Sequence, residues 1–474
     1  MKRYSHNTRW RVKTAEQRYI LLVGDILVAG LALFIALEVW AAGDQWLKRF
    51  SIEFLRGRVP FWFYLIPLVW IFLMVELYDS HRARRIRDTL YGIGLTALIS
   101  VGLYLVIFFL SPDPESLPRK GVAIFIVVIT ILTILWRLLF IRIFTAPQFM
   151  RRMLIVGAGK SGRVLADVIR EIRPQPFFLV GLVDDDPQKI GLKIGEYTVL
   201  GGGNQLLKVI EDENISDLIL AISGEMNGAL FQAILDAQDK GVDVTTMPTM
   251  YEELLGRVPI FMLEADWIIR SFVDQARTSF LYEMVKRLLD ILGGLVGVVF
   301  VIPFLPIIGL AIVIDTSFPI FYSQIRLGKG GKSFTILKFR TMVKNAETNG
   351  SVRVTEVKDA RITRVGWFLR KTHLDEWPQF INVLKGEMSL VGPRSERSEL
   401  VHDLQEKIPF YRARLLIKPG ISGWAQVNYK YAATVEETAV KLEYDLYYIK
   451  HRNLVMDVVI LLRTFGSVFG FKGQ

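Results

Sequence analysis

Four stretches near the start of this chain are long and apolar enough to cross a lipid bilayer as helices. Each is about 20 residues long, which matches the hydrocarbon thickness of a bilayer. They are Tyr19 to Ala42, Val59 to Tyr78, Thr89 to Leu110 and Gly121 to Phe144. A buried soluble bundle is the alternative, but it fits poorly with the short, charged connections. The sequence therefore predicts a membrane α-helical bundle of four spans over residues 1–150.

The basic residues around these stretches indicate how the bundle is oriented, because cytoplasmic connections carry more Lys and Arg than external ones. One side carries Lys2, Arg3, Arg9, Arg11, Lys13, Arg18, Arg82, Arg84, Arg85, Arg87, Arg151 and Arg152. The other side carries Lys48, Arg49, Arg56, Arg58, Arg119 and Lys120. This bias places both ends of the bundle in the cytoplasm. The net charge of +11 then favours contact with anionic membrane lipid, and no nucleic-acid partner is expected.

Past Arg152 the pattern changes to short apolar strands alternating with helices. The segment MLIVGAGKSG runs from a strand into a glycine turn, and a helix follows from Arg163 to Ile172. A second strand ends on Asp184, where a dinucleotide fingerprint places its ribose-binding acid. Two further strands are predicted at Asp217 to Ile222 and Val242 to Thr246. The pattern predicts a Rossmann-like α/β domain over residues 151–250, followed by a connector over 251–280.

Whether this domain binds a nucleotide stays open at the level of sequence. A glycine turn can serve only to pack a helix against a strand, and no catalytic residues accompany it here. The Tyr-x-x-x-Lys match, Tyr282 to Lys286, falls outside the domain. The weak candidates for nucleotide binding are Gly157, Gly159, Gly162 and Asp184.

An acidic pair, Asp375 and Glu376, lies among many cations in the C-terminal part. The cations are Lys338, Arg340, Arg361, Arg370, Lys371 and Arg394. Phosphoryl chemistry needs this combination of a nucleophile, a metal ligand and cations that spread phosphate charge. The alternative is a surface acidic pair on a helix. The chain has no cysteine and its five histidines are scattered, so any metal is expected to be a carboxylate-bound ion such as Mg²⁺.

Several long motifs in the C-terminal part resemble the bacterial polyprenyl-phosphate phosphoglycosyl transferases of the monotopic type. They are YEMVKRLLD, QIRLGKGGKSFTILKFRTM, DARITRVGWFLRKTHLDEWPQFINVLKGEMSLVGPR, KPGISGWAQVN and YDLYYIKHRNLVMD. The preceding membrane bundle and Rossmann-like module extend the resemblance to the large form of this family. The tail after Asn428 is similar to the exosortase-associated branch of enzymes that initiate exopolysaccharide or O-antigen synthesis. The resemblance implies a monotopic α/β catalytic domain over residues 281–474.

The resemblance also implies a reaction and roles for named residues. Asp375 would attack the β-phosphate of a UDP-sugar and then pass the phosphosugar to polyprenyl (undecaprenyl) phosphate, releasing UMP and giving a polyprenyl-diphosphate sugar. Mg²⁺ would be held by Asp375 with Glu376 nearby. The residues implied to bind substrate or phosphate are Lys338, Arg340, Arg370, Gln379 and Arg394. The expected location is the bacterial inner membrane with the catalytic domain in the cytoplasm, and a homodimer is compatible with the large form.

Five positions depart from the pattern of the family without removing a residue assigned to chemistry. Tyr429 and Lys430 stand where many relatives have Gly-Arg after the Gln-Val-Asn run. Trp377 stands where leucine is common, His373 where serine or arginine is frequent, and Ser395 where proline often follows Gly-Pro-Arg. Lys418 and Lys450 are interpreted as surface cations. The segment from Tyr447 to Phe471 is interpreted as interfacial helices.

A further apolar segment, Ile291 to Ile314, has 24 residues without charge but contains Pro303 and Pro306. Each proline removes a helix hydrogen bond and bends the axis. If the segment crossed the bilayer, the C-terminal domain would lie outside the cell, where nucleotide-activated substrates are absent. A broken, re-entrant membrane helix at about residues 283–314 is therefore predicted.

Two other functions are compatible with parts of the sequence. One is a membrane-tethered nucleotide-sugar oxidoreductase centred on Gly157 to Gly162, which would need a catalytic Tyr-Lys pair within that domain. The other is a non-enzymatic scaffold for polysaccharide assembly, with the α/β domain as a ligand sensor.

Overall fold

A computed structural model describes residues 14–43, 50–78, 80–112, 117–145, 150–222, 224, 226–263, 279–344, 359–429 and 434–468. The chain forms two compact units, Met1–Met247 and Pro248–Lys472. The first unit contains the four apolar stretches near the start of the chain and the α/β domain. The second contains the acidic pair.

The apolar part of the first unit is helical throughout most of its described length. Its α-helices are α1 (Thr14–Ala42), α2 (Ile52–Gly57), α3 (Ile66–Leu73), α4 (Ser80–Ala83), α5 (Ile86–Leu110) and α6 (Arg119–Phe144). Three of the predicted spans correspond to α1, α5 and α6, each long and apolar enough to cross a bilayer. A fourth helical stretch of this kind in the described chain, Phe280–Thr316, lies in the second unit. The chain is therefore a membrane protein.

The second predicted span is not one continuous helix. It is divided into a 3₁₀ turn at Phe61–Leu65, the helix α3, and another 3₁₀ turn at Val75–Tyr78. Pro67 lies in the first turn of α3, where its missing N–H costs nothing, so a new helix starts there. The apolar helix Phe61–Leu73 is too short to cross at about 1.5 Å per residue.

Helices α1 and α6 pack closely and share a buried ion pair. A side chain at Gly24 of α1 would meet the ring of Trp136 on α6, so glycine permits the close approach. Arg137 donates to the Asp25 carboxylate at 2.6 Å, with both side chains almost fully buried. Arg137 also donates to the carbonyl of Leu77 at 2.7 Å. A single guanidinium thus joins α1 and α6 to the broken segment between them.

The α/β domain has the predicted parallel sheet. Its strands are β1 (Arg152–Val156), β2 (Phe178–Val183), β3 (Lys193–Ile194), β4 (Tyr197–Thr198), β5 (Asp217–Leu220) and β6 (Asp243–Thr246). Its helices are α7 (Lys160–Glu171), α8 (Leu206–Asp212) and α9 (Gly228–Asp239). The sheet order is β2-β1-β5-β6 with every pair parallel, while β3 and β4 form a small antiparallel ribbon. The change of direction between β1 and β5 is where doubly wound sheets bind ligands.

The second unit combines a long, interrupted apolar helical stretch with short strands and further helices. Its helices are α10 (Met247–Leu255), α11 (Phe280–Val301), α12 (Leu305–Thr316), α13 (Arg364–Lys371), α14 (Gln379–Lys385), α15 (Ser398–Lys407), α16 (Trp424–Asn428), α17 (Val435–His451) and α18 (Leu454–Val468). Its strands are β7 (Phe321–Leu327), β8 (Ser333–Phe339), β9 (Ser389–Val391) and β10 (Gly420–Ser422). Strands β7 and β8 pair antiparallel, and β9 and β10 pair parallel.

Part of the predicted connector is built into this unit. Val258 and Ile260 are fully buried in a core that also contains Leu446 of α17. Glu252 of α10 is buried and accepts hydrogen bonds from Lys450 at 2.8 and 3.0 Å. The interpretation of Lys450 as a surface cation is therefore wrong, because its ammonium forms a buried ion pair with a residue 198 positions earlier.

Helices α11 and α12 are separated by a 3₁₀ turn at Ile302–Phe304. One face of α11 packs on the rest of the second unit, where side chains at Gly293, Gly294 and Gly297 would meet Leu390, Leu384 and Phe380 respectively. Its opposite face is exposed and apolar, with Leu292, Leu295, Val296 and Val299 on it. The long helical stretch is thus interrupted at Pro303, one of the two prolines expected to break it.

Candidate active site

The acidic pair lies in a tight turn between two helices. Helix α13 ends at Lys371, His373 takes a left-handed conformation with φ 56°, and a 3₁₀ turn at Leu374–Glu376 leads towards α14. A left-handed non-glycine residue is uncommon, and here it reverses the chain between α13 and the turn. The reversal leaves Asp375 buried, with only 8% of its surface exposed.

Glu376 is held between two cations. Lys338 of β8 donates from Nζ to Oε1 at 2.7 Å, and the Arg394 guanidinium donates to both carboxylate oxygens. Burial alone would raise the pKa of Glu376, but the charges of Arg394 and Lys338 outweigh it and hold the pKa well below its usual range. Glu376 is therefore ionised and holds the cations of Lys338 and Arg394 side by side.

Asp375 differs from its neighbour in having no ion pair within the described part of the chain. Burial raises the pKa of Asp375, and the adjacent Glu376 charge raises it further. Lys338, Arg370 and Arg394 act in the opposite direction. The Asp375 carboxylate therefore has no competing ion-pair partner among the described residues. A further positive charge next to it, such as a bound cation, would favour its ionised form.

The other predicted phosphate ligands are placed differently from one another. Arg370 donates to the Thr341 hydroxyl at 2.9 Å and is close enough to lower the pKa of Asp375. Gln379 is buried, and its amide nitrogen has no hydrogen-bond partner among the described residues. The donors of Arg370 and Gln379 therefore remain compatible with a role at the site.

Arg340 is not seen on the carboxylates. Its guanidinium donates to the Thr316 hydroxyl at 2.7 Å, to the Thr316 carbonyl and to the Ser317 carbonyl, at the end of α12. Strand β8 ends at Phe339, so Arg340 no longer follows the alternation that directs Lys338 to Glu376. The Nη2 atom of Arg340 thus contacts the carboxyl end of α12, a favourable place for a cation. The buried Nε and Nη1 atoms of Arg340 have no hydrogen-bond partner among the described residues, so they stay compatible with a role at the site.

A second arginine supports Arg394 and was missed in the sequence. Arg414 donates to the backbone carbonyl of Arg394 at 3.1 Å, and it is itself paired with Asp445 at 2.8 Å. Both side chains of this pair are almost completely buried. Asp445 was within a recognised motif, but the sequence gives no signal that pairs it with a residue 31 positions earlier.

The carboxylates are compatible with a magnesium ion bound together with substrate. The described residues contain no cluster of three His, Cys, Asp or Glu side chains suited to a metal. Magnesium, however, commonly uses one or two carboxylates and completes its shell with waters and substrate phosphates. Asp375 is available for such a role, whereas both oxygens of Glu376 already accept from cations.

The glycine turn of the α/β domain is closed by its own residues. Asp184 accepts a hydrogen bond from the backbone of Ala158 at 2.6 Å and forms an ion pair with Lys189 at 3.1 Å. A side chain at Gly162 would lie 1.9 Å from the carbonyl of Gly157, so this glycine is required for packing. Gly159 faces open space. Gly157 has φ 110°, and a side chain there would lie 2.7 Å from the carbonyl oxygen of Ala221. Of the four candidates, Gly157, Gly162 and Asp184 therefore have structural roles in the chain itself.

The Tyr-x-x-x-Lys match is part of a buried structural network. Lys286 donates to Asp457 at 2.9 Å, and Tyr282 donates to the same carboxylate at 3.2 Å. Tyr448 of α17 donates to the other Asp457 oxygen. These contacts fasten the base of α11 to α17 and α18, so this pair does not supply the catalytic Tyr-Lys that an oxidoreductase would need.

The fold and the site define a class: a membrane protein with a doubly wound α/β domain and a separate unit whose acidic pair is surrounded by cations. The sequence profile described as "Bacterial sugar transferase" matches residues 281–471. A second profile, described as "CoA-binding domain", matches residues 74–248.

Curated relatives agree with the first match. A UDP-N-acetylgalactosamine-undecaprenyl-phosphate N-acetylgalactosaminephosphotransferase of Aeromonas hydrophila is 40% identical over 47% of this chain and 52% of its own length. A putative undecaprenyl-phosphate N-acetylgalactosaminyl 1-phosphate transferase of Bacillus subtilis is 41% identical over 31% of this chain and 81% of its own. A UDP-galactose-lipid carrier transferase of Erwinia amylovora is 28% identical over 94% of this chain and 88% of its own.

The chain belongs to the bacterial sugar transferase family. The match spans about half of the length of the Aeromonas protein, 52%. A solved UDP-D-quinovosamine 4-dehydrogenase from Vibrio fischeri also aligns, at 22% identity over 25% of this chain and 96% of its own, but a TM-score of 0.19 says nothing about this fold.

Proposed function

We propose that this protein transfers a sugar 1-phosphate from a UDP-sugar to polyprenyl phosphate through a covalent intermediate on Asp375. The observation that carries the proposal is the asymmetry of the acidic pair. Glu376 is neutralised by Lys338 and Arg394, whereas the adjacent Asp375 is buried and unpaired among the described residues. A nucleophile beside two preplaced cations suits attack on a diphosphate.

In the first step a carboxylate oxygen of Asp375 attacks the β-phosphorus of the UDP-sugar. An oxygen–phosphorus bond forms, and the bond from the β-phosphorus to the bridging oxygen breaks. UMP leaves with that oxygen and its electron pair. Lys338 and Arg394, which already lie together on Glu376, are placed to share the charge on the phosphate oxygens.

In the second step a phosphate oxygen of the lipid attacks the phosphorus held on Asp375. The new bond gives a polyprenyl-diphosphate sugar, and the Asp375 carboxylate is released. Asp375 is a suitable leaving group because the nearby cations stabilise its anion. Bound Mg²⁺ would supply further positive charge to the diphosphate. The chain's own contribution is to hold Asp375 dry and to keep Lys338 and Arg394 in place.

The contacts of α11 support a hairpin that enters and leaves one leaflet. Arg287 donates to the carbonyls of Val383 and Leu384 at 2.8 Å each, and Asp290 accepts from Ser389 at 2.9 Å. Near the bend, Phe300 contacts Trp377. One side of α11 is thus covered by the second unit along most of its length, which an isolated spanning helix would not permit. The uncovered apolar side is left for lipid.

In this proposal the second unit lies on the cytoplasmic face of the bacterial inner membrane, where UDP-sugars are made. It is consistent with the predicted first membrane step of exopolysaccharide synthesis in an exosortase-associated branch. The names of the relatives favour UDP-sugar and undecaprenyl phosphate as substrates. A homodimer is compatible with this proposal.

The reaction is tested with the full chain in lipid nanodiscs. A panel of UDP-sugars is first screened for exchange of labelled UMP into UDP-sugar without lipid acceptor, which requires only the first step. Polyprenyl phosphate is then added and the lipid product is identified by mass. Formation of a polyprenyl-diphosphate sugar with release of UMP is the expected result. Hydride transfer to a nicotinamide cofactor, or no reaction with any UDP-sugar, would contradict the proposal.

A further inference from the structure

A cluster of three aromatic side chains joins the acidic turn to the bend of the hairpin. The ring of Trp377 lies 5.3 Å from Phe300 and 6.0 Å from Phe304, measured between ring centroids. Phe300 precedes the 3₁₀ break, and Phe304 is its last residue. Trp377 follows Asp375 by two positions. The cluster therefore connects the reactive carboxylate directly to the part of the hairpin that bends.

This cluster is open on one side. Phe300 is 57% exposed and Phe304 is 41% exposed, while Trp377 is half-buried. Beyond Phe300 the apolar surface continues along α11 through Val296 and Val299, which are also exposed. An apolar wall thus runs from the lipid-facing side of the hairpin to the edge of the acidic turn.

The proposed reaction imposes a geometric requirement on its acceptor. The phosphate of the lipid must reach Asp375, while its apolar chain must stay in a lipid environment. A chain that met polar side chains at the turn would lose that environment. Trp377 lies two positions after Asp375, and its ring contacts Phe300 and Phe304 at the break of the hairpin, so the aromatic cluster adjoins both.

We infer that Trp377, with Phe300 and Phe304, receives the isoprenoid units nearest the acceptor's phosphate and sets the preference for a polyprenyl chain. The inference rests on the proposed function and adds the residues that select the acceptor. Aromatic rings suit this role because they offer a large, rigid apolar face at little entropic cost. The branched, unsaturated isoprenoid unit covers more of such a face than a straight alkyl chain.

The test uses the full chain in nanodiscs with two acceptors, undecaprenyl phosphate and dodecyl phosphate. In a double-displacement reaction kcat/KM for each substrate reports only its own half of the reaction. Trp377→Leu should lower kcat/KM for undecaprenyl phosphate about tenfold. It should lower the value for dodecyl phosphate much less, so the preference between the two acceptors shrinks. UMP exchange without acceptor should stay within about twofold of wild type.

Trp377→Phe should keep most of the preference, because a ring remains in the cluster. Trp367→Leu is the matched control, since Trp367 of α13 is 56% exposed and its ring contacts Lys371. It should leave the preference unchanged. An equal loss in UMP exchange and in both acceptors for Trp377→Leu would show that the ring merely supports the turn, and an unaltered preference would also overturn the inference. A wild-type protein without UMP exchange would contradict the proposed function itself.

Discussion

The Nζ atom of Lys338 lies 2.7 Å from Oε1 of Glu376, and Arg394 donates to the same oxygen. The two cations repel each other, and the negative charge of Glu376 between them offsets that repulsion. A substrate diphosphate can replace Glu376 as the partner of both cations without moving either far. In the proposed reaction, Glu376 would occupy the position of the substrate phosphate between these two cations until substrate binds.

Asp375→Asn should abolish both UMP exchange and lipid product. The amide cannot form the oxygen–phosphorus bond, so the loss should be several powers of ten, about 5 kcal/mol or more in barrier. The direct measurement is intact mass and peptide mapping after mixing the wild-type protein with UDP-sugar alone. A sugar-phosphate adduct on any residue other than Asp375 would disprove the assignment. Glu376→Gln is the control, because it should react slowly but still carry the adduct on Asp375.

Lys338→Met should move the acid limb of the pH–rate profile to higher pH. The reactive form of Asp375 is ionised, and its pKa is raised by burial and by Glu376, so activity should fall on acidification at a pH above the usual carboxyl range. Lys338 opposes that shift, and its removal raises the pKa of Asp375 further. The measurement is the rate of UMP exchange against pH. Lys332→Met, which removes an exposed cation from the loop between β7 and β8, should leave the acid limb at the same pH.

The same contacts predict how stability depends on pH. The pKa of Glu376 is lower in the folded protein than in the unfolded chain, so its pairing stabilises the fold above the unfolded pKa. That contribution is lost as the pH falls through the lower folded value. Lys338→Met should therefore lose more stability near neutral pH than in strong acid, which thermal unfolding at several pH values would detect. Equal loss at all pH values would argue against the pairing.

Glu252→Gln should destabilise the second unit. The change removes the negative charge that Lys450 and His451 both contact in a buried site, at a cost of about 3 kcal/mol. The measurement is the midpoint of thermal unfolding in detergent. Restoring neutrality with Glu252→Gln and Lys450→Met together should recover part of the loss. Glu406→Gln, an exposed position on α15, should change the midpoint little.

The hairpin α11–α12 should begin and end on the same side of the membrane. Because the chain has no cysteine, single cysteines at Met284 and Lys329 can be labelled without background. Both positions are exposed, and neither has the positive φ found at Gly330. An impermeant thiol reagent should label both cysteines from the cytoplasmic side in oriented vesicles. Labelling of the two from opposite sides would mean that the segment crosses.

Local patterns predicted much of this fold because their signals lie within single elements. Three membrane helices and the strands of the α/β domain follow from hydropathy and period. The second span was wrongly predicted as one continuous helix. Average hydropathy does not show that a new helix, α3, begins at Pro67. The acidic pair was recognisable since its residues are adjacent. Its cation Lys338 was predicted as a phosphate ligand, but the contact with Glu376 appears only in the folded chain.

Contacts that the sequence did not predict share a physical cause, which is dependence on distant partners. Lys450 was interpreted as exposed, and only the fold brings Glu252 to it. Arg340 donates from Nη2 to Thr316 and Ser317, whereas its buried Nε and Nη1 atoms have no hydrogen-bond partner among the described residues. The magnesium ion stays a prediction, and so do the roles in binding substrate of the five residues implied by the resemblance, Lys338, Arg340, Arg370, Gln379 and Arg394.

The ion pair between Asp25 and Arg137 has a consequence for how the protein is made. Each charge costs about 3 kcal/mol at the centre of a lone helix in lipid. Asp25 enters the membrane with α1, but its partner is synthesised 112 residues later in α6. Until then the charge of Asp25 makes α1 less stable in the bilayer. We expect it to be retained at the insertion machinery, so that the first and last helices of the bundle are released into lipid together.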